Sequence, residues 1–245
     1  NGFNIDREFS ADGMGSVLDL SSLTSVERNG GSTSSVLSIT ATDGGLVDLS
    51  GITGFSDNTS GINGDISVTS RDAGSKVDLS NVQTISDVNI EVRDGGDITG
   101  QLTSITGRSQ LLKRGLDDAD GDAVDMIDLS MLVSANNASL IAEDGATLDL
   151  GSASIDQTDL IARKGFQGSG GAMLTTSVSS WTGTNGFNID REFSADGMGS
   201  VLDLSSLTSA ERNGGSTSSV LSITATDGGL VDLSGRAAFS DDTSG

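Results

Sequence analysis

Ser38-Ile39-Thr40-Ala41-Thr42-Asp43-Gly44-Gly45-Leu46-Val47-Asp48-Leu49-Ser50 is the stretch that decides the fold. Its first part alternates polar and apolar residues, the period-two pattern of a strand with one buried face. Asp43-Gly44-Gly45 follows as a turn, with Asp offering side-chain hydrogen bonds and Gly the freedom to take positive φ. Val47-Asp48-Leu49-Ser50 is then a second short strand, an apolar-Asp-apolar step. The same step recurs around Asp19, Asp78, Asp128, Asp149, Asp203 and Asp232, with a degenerate copy at Gly96-Asp97-Ile98-Thr99. A further apolar pair often comes next, as in Leu23 and Val26, Ile52 and Phe55, or Val82 and Ile85. Strand, turn, strand and short third side, repeated every 20 to 30 residues or so, match the coils of a parallel β-helix. One coil leaves its apolar row and strand edges unsatisfied. Stacked coils pair their backbones at about 4.8 Å and close a core.

Further outward, a second and longer repeat appears. Asn1–Gly61 recurs as Asn185–Gly245, offset by 184 residues, and five of the 61 positions differ: Val26/Ala210, Ile52/Arg236, Thr53/Ala237, Gly54/Ala238 and Asn58/Asp242. The chain therefore reads as one full period, 1–184, and the start of the next, 185–245, cut from a longer array and expected to form one continuous solenoid. The expected fold is all-β: an elongated, right-handed parallel β-helix with about seven coils per period, or roughly 34 Å at the strand spacing. Coils longer than about 20 residues favour the right-handed form over the short hexapeptide coils of the left-handed one. A β-sandwich would not explain one recurring Asp-centred step. Leucine-rich repeats would require an Asn ladder that is missing.

Composition narrows the function. Hydrophobic residues are 34% of the chain, with one Trp, no Tyr, and no Pro, Cys or His. Such a chain suits a narrow core of Val, Ile, Leu and Ala better than a spherical one. Without Cys or His there is no disulfide, no thiolate metal site and no Ser-His-Asp or Cys-His catalytic arrangement. The net charge is −22, and Asp supplies 29 of the 35 acids. That balance excludes a basic nucleic-acid footprint and disfavours anionic lipid. No apolar run approaches the roughly 18 residues of a membrane span.

The runs Ser38–Ser50 and Lys76-Val77-Asp78-Leu79-Ser80-Asn81-Val82 resemble repeats of very large bacterial surface proteins, the filamentous-haemagglutinin-like and autotransporter-like parallel β-helices. The resemblance covers most of the chain through a degenerate motif. It implies an extracellular or cell-surface location and a fibrous or adhesive role, and carries over no catalytic residue.

Several residue groups are candidates for chemistry. Stacking would place Asp19, Asp48, Asp78, Asp97, Asp128 and Asp149 in one column. Like charges opposed across strands repel, so the column needs an offset: local bonds from Ser and backbone amides, staggering, or cations. The densest acidic run, Asp117–Asp125, offers Asp118, Asp120, Asp122 and Asp125 as calcium ligands, since calcium takes six to eight oxygens. It lacks EF-hand phasing, and its alternative reading is a solvated insertion loop. Arg71, Arg93, Lys113 and Arg114 could hold an anionic sugar or be scattered surface charge. Carboxylates are so abundant that a glycosidase-like pair is not a specific signal. Ice binding would need a regular outward Thr array. Ser38, Thr40 and Thr42, followed by Ser67 and Thr69, then Asn89, Glu91 and Arg93, break it. Lys164–Gly171 lacks the Gly-Lys-Ser/Thr of a phosphate loop and reads as an irregular coil or a bend; nearby Trp181 is expected to cover the core, the alternative being contact with a neighbouring protomer. The functional expectation is a non-enzymatic segment of a fibre, stalk or adhesin, stacked end to end on itself or on neighbouring repeats. Surface glycans are candidate partners. The runner-up is a polysaccharide lyase or hydrolase.

Overall fold

The computed structural model describes residues 6–28, 36–57, 66–115, 127–165, 170–184, 190–213, 219–235 and 238–242. These contain strands and no helix, so none of them forms a helix long and apolar enough to cross a membrane. The chain divides into two compact units, Asn1–Met131 and Leu132–Gly245.

In the first unit the strands stack in three parallel sheets. The long face carries Arg7–Asp12, Leu37–Thr42, Ile66–Arg71, Val88–Arg93 and Gln110–Arg114. The second face carries Val17–Asp19, Leu46–Asp48, Lys76–Leu79 and Asp97–Gly100. The third carries Val26–Arg28, Gly54–Asp57, Thr84–Ser86 and Ser104–Thr106. Every neighbour is one coil away in sequence and all pairings are parallel, which is the connectivity of a β-solenoid.

The expected alternation sets which side is buried. Phe9, Ile39, Val68, Ile90 and Leu111 share one inward column on the long face. Leu18, Val47, Val77 and Ile98 form a second column, and Val26, Phe55, Ile85 and Ile105 a third. Ile39, Val68, Ile90, Val47, Val77, Phe55 and Ile85 are at most 3% exposed. Each such burial contributes about 1.5–3 kcal/mol, so a core one side chain wide still holds the coils together.

The second unit repeats the plan. Its long face is Ser139–Glu143, Asp159–Arg163, Arg191–Asp196 and Leu221–Thr226. Its second face is Thr147–Asp149, Met173–Thr175, Val201–Asp203 and Leu230–Asp232, and its third is Ser180–Thr184, Ser209–Asn213 and Ala238–Asp242. Counting from Arg7–Asp12 to its sequence copy Arg191–Asp196, seven described long-face strands precede the recurrence. The expected seven coils per period are therefore present.

The turns refine the expectation. Asp43 and Gly44 both have positive φ, 50° and 85°, and Gly45 N donates to Thr42 O at 2.9 Å. Two central residues at positive φ are the combination of a type I′ turn. Asp94-Gly95 and Asp144-Gly145 repeat it, with φ of 55° and 83°, and 56° and 93°. Asp itself, and not Gly alone, thus takes the left-handed conformation, which its short polar side chain tolerates. Gly45 serves a different need: a Cβ there would lie 2.2 Å from Ala11 O of the coil beneath.

Candidate functional site

The recurring Asp of the second face is the most regular polar feature of the surface. Its role follows from a local bond made in every copy. Ser21 N donates to Asp19 Oδ1 at 3.0 Å, Ser50 N to Asp48 at 2.9 Å, Ser80 N to Asp78 at 2.9 Å and Ser130 N to Asp128 at 2.8 Å. Gly151 N, Ser205 N and Ser234 N do the same to Asp149, Asp203 and Asp232, each at 2.9 Å. The carboxylate fastens the bend that leads to the third face, and this explains why Ser or Gly follows two residues later. The bonds also stabilise the charged form. Bonds from the Ser21 side chain and backbone lower the Asp19 pKa, and those from Ser234 lower that of Asp232. At Asp78 burial pushes the pKa up but is outweighed by bonds from Ser80 and Thr99 and by nearby Lys76, so the net shift is downward.

The column is real but not continuous. Asp19, Asp48 and Asp78 are in register, and so are Asp203 and Asp232. Asp97 is not a member, contrary to the sequence reading: it pairs with Lys76 and is buried, and Thr99 faces Asp78 instead. The second unit has the same substitution. Thr175 lies between Asp149 and Asp203, in a coil whose second-face strand, Met173-Leu174-Thr175, the Asp-centred motif does not reveal. Thr99 Oγ1 donates to Asp78 Oδ1 and Thr175 Oγ1 to Asp149 Oδ1, both at 3.1 Å. A hydroxyl donor thus relieves the carboxylate repulsion at these rungs. Among the described residues no three acidic side chains are grouped to share a metal ion. The candidate calcium ligands Asp118, Asp120, Asp122 and Asp125 lie outside the described residues.

The basic residues are not scattered. Arg71, Arg93 and Arg114 fall in one outward register on successive long-face strands. Lys113 points the other way and is buried. Carboxylates line the ladder: Asp72 Oδ2 is 3.6 Å from Arg71 Nε, and Glu91 Oε1 and Asp94 Oδ2 are 3.3 and 3.9 Å from Arg93 Nε. The ladder is largely neutralised by its own neighbours. The outward Thr row breaks as expected, Thr40 and Thr69 being followed by Glu91.

In the second unit Arg191 ties three coils together. It donates to Asp159 Oδ2 at 3.5 Å and to Asn137 Oδ1, while Glu192 N donates to Asp159 Oδ1 at 2.8 Å. Burial raises the Asp159 pKa and lowers that of Arg191, and the attraction of each for the other opposes both shifts. Beside this cluster Trp181 is 2% exposed and meets Phe193 edge to face at 5.2 Å, so it covers the core as expected. Ala210 stacks directly on Trp181, and a Cβ on Gly183 would lie 2.5 Å from the indole ring. Sequence reasoning placed Trp181 without finding the two small residues that seat it. The signal for Ala210 was the Val26/Ala210 difference between the copies; Gly183, outside the duplicated blocks, had none.

A shallow depression of about 330 Å³ lies on the outer long face of this unit, between Arg163, Glu192, Ser194, Asp196, Thr224 and Thr226. Comparison with known proteins found no matching protein family, curated protein or solved structure. The parallel β-solenoid stands on geometry, and the narrower likeness to haemagglutinin and autotransporter repeats gains no family match.

Proposed function

We propose that this chain is a non-enzymatic structural segment of an extracellular fibre or cell-surface stalk built of stacked β-solenoid coils. The observation that carries the reading is the recurrence of strands at identical places 184 residues apart, Arg7–Asp12 with Arg191–Asp196 and Leu37–Thr42 with Leu221–Thr226. Parallel stacking of this kind propagates through any number of periods, because each coil contacts only its neighbours. The polar side chains support the reading, since the second-face carboxylates and the Arg191 cluster are engaged in holding turns and coils. Cryo-electron microscopy or fibre diffraction of the native parent material tests it. A strand spacing of about 4.8 Å along the axis with a period of about 34 Å is expected. Compact particles lacking that spacing would overturn it.

A second reading, glycan binding by an adhesive surface, is favoured by the depression lined by Ser194, Thr224, Thr226, Glu192 and Asp196. Hydroxyls and carboxylates are suitable partners for sugar hydroxyls, although no aromatic platform lines it. A glycan-array screen decides between a stalk that binds nothing specifically and an adhesin. Polysaccharide cleavage is the weaker alternative, and release of oligosaccharide from acidic polysaccharides would reveal it. Calcium in the Asp117–Asp125 run would stiffen the array, and calorimetric titration with calcium measures whether the run binds it.

A further inference from the structure

The methionines of this chain stand where an apolar side chain is least expected. Methionine usually fills irregular gaps in a core. Here the buried apolar residues are Ile, Val, Leu, Ala, Phe and one Trp, and none of the described methionines is among them. Met14 is 94% exposed, Met198 79%, Met131 56% and Met173 43%. Met126 lies outside the described residues. The chain has no Cys, Tyr or His, and Trp181 is buried. The easily oxidised side chains are thus divided by burial: every described thioether faces solvent, and the one indole is sealed.

Met14 and Met198 occupy the same corner in the two copies, between the long face and the second face, each within Asp-Gly-Met-Gly-Ser. Gly13 and Gly15 have φ of 89° and 83°, and Gly197 and Gly199 have 87° and 83°. Ser16 N donates to Gly13 O and Ser200 N to Gly197 O, each at 3.0 Å, which closes the bend. The coil above rests on the methionine backbone: a Cβ on Gly44 would lie 3.3 Å from Met14 Cα, and one on Gly228 3.3 Å from Met198 Cα. Met198 also has a coil beneath it. Met173–Thr175 pairs with Val201–Asp203, and Lys164 and Gly171 lie close to Gly197 and Gly199. That extra coil lowers the exposure only from 94% to 79%. An open thioether is therefore a property of the corner and not of the ends of the stack.

We propose that Met14 and Met198 are sacrificial oxidation sites, recurring with the 184-residue period, that consume hydroperoxides and leave the solenoid intact. The thioether sulfur gives an electron pair to one oxygen of hydrogen peroxide. An S–O bond forms, the O–O bond breaks, and the departing hydroxide takes the proton from the transferred oxygen. The products are methionine sulfoxide and water; sulfur is oxidised and the peroxide reduced. A sulfoxide disrupts a core or an apolar interface because it makes a flexible apolar group polar. At this corner the new S=O stands in water. A Cβ on Gly15 would meet nothing within 4 Å, so the neighbouring space is free. The aliphatic core offers peroxide no reactive group. The sulfoxide stage is reversed by methionine sulfoxide reductases, which reach an exposed corner without unfolding the coil. This role is chemical, and it adds to the structural reading without depending on it.

Treatment of the full chain with hydrogen peroxide tests the proposal. The tryptic peptides Glu8–Arg28 and Glu192–Arg212 differ by Val26/Ala210, so mass spectrometry follows the two methionines separately. Each should oxidise in the folded chain within about threefold of its rate in the urea-unfolded chain, ahead of Met131 and Met173. Once Met14 and Met198 are oxidised, the urea midpoint and the emission of Trp181 should be unchanged. Met14→Leu combined with Met198→Leu should fold as the parent does and lower the peroxide consumed in the first phase by one equivalent for each residue replaced. Stronger protection of Met198 in the folded chain would mean that the corner is covered, and would overturn the proposal. A lower midpoint after oxidation of these two residues, or an undiminished first phase in the double variant, would overturn it as well. These outcomes leave the axial spacing of native material untouched, so the fibre reading stands or falls separately.

Discussion

At the residue scale, the second-face aspartates act as fasteners of the turn. Asp48→Ala removes the acceptor of Ser50 N–H and is expected to cost about 1–2 kcal/mol. Asp48→Asn keeps a side-chain oxygen and should cost less. Urea denaturation of the three proteins measures both. The pH dependence has a definite sign. Asp19, Asp78 and Asp232 have folded pKa values below their ordinary 3.8. Their contribution is complete above about 3.8 and is lost as pH falls through the lower folded values. Asp159 has a raised pKa and acts oppositely, its share shrinking as pH rises from 3.8 through its folded value. Through Asp19, Asp78 and Asp232 the denaturation midpoint should fall on acidification below pH 3.8, with Asp159 working against that fall. A flat profile there would show that the Ser bonds contribute little. Arg191 and Arg7 form a natural pair of controls. Arg191→Met removes the donor to Asp159 Oδ2 and to Asn137 Oδ1, leaves Asp159 with the Glu192 amide, and should cost about 1–3 kcal/mol. Arg7→Met, at an exposed side chain that donates to Asp6 O, should stay within about 0.5 kcal/mol. Equal effects in thermal unfolding would remove the case for a three-coil clamp.

At the element scale, each coil is shaped by the one beneath it. The indole of Trp181 fills a site that Ala210 and Gly183 leave open. Ala210→Val makes this copy identical to the first at that position, yet should destabilise by about 1–3 kcal/mol through overpacking. The blue-shifted emission of the single, buried Trp should move to the red at lower urea than in the parent chain. An unchanged midpoint would show that the ring can shift aside. How much of each element was legible follows the range of the signal. Strands such as Leu37–Thr42 and Val88–Arg93 were readable because alternation is local. The Asp-Gly turns were readable because positive φ favours those residues. The coil through Met173–Thr175 was not readable as an Asp-centred step, because Thr replaces Asp there without changing which side faces inward.

At the scale of the whole molecule, position in the stack and not sequence sets the burial of a coil. Leu37–Thr42 and Leu221–Thr226 share the sequence Leu-Ser-Ile-Thr-Ala-Thr. The first has a described strand on each side, whereas the second pairs only with Arg191–Asp196 among the described strands. In a protein of residues 1–245 the two yield peptides of equal mass in hydrogen exchange, so they should share one isotopic envelope with two components, one protected and one fast. A single component in dilute, low-salt buffer would mean that the two strands are equally covered.

By itself the sequence determined the solenoid class, the number of coils per period and which side of most strands is buried. These depend on polarity repeated along the chain, and such patterns need no knowledge of distant partners. Only the tertiary structure decided the register between coils. A shift by two residues preserves in-out alternation, so Asp97 and Thr99 were equally good candidates for the column until Lys76 and Asp78 were seen opposite them. For the same reason the Arg71–Arg93–Arg114 ladder and the seat of Trp181 were hidden. Each joins residues about 20 to 30 positions apart, and loop length between strands can vary without altering the local pattern.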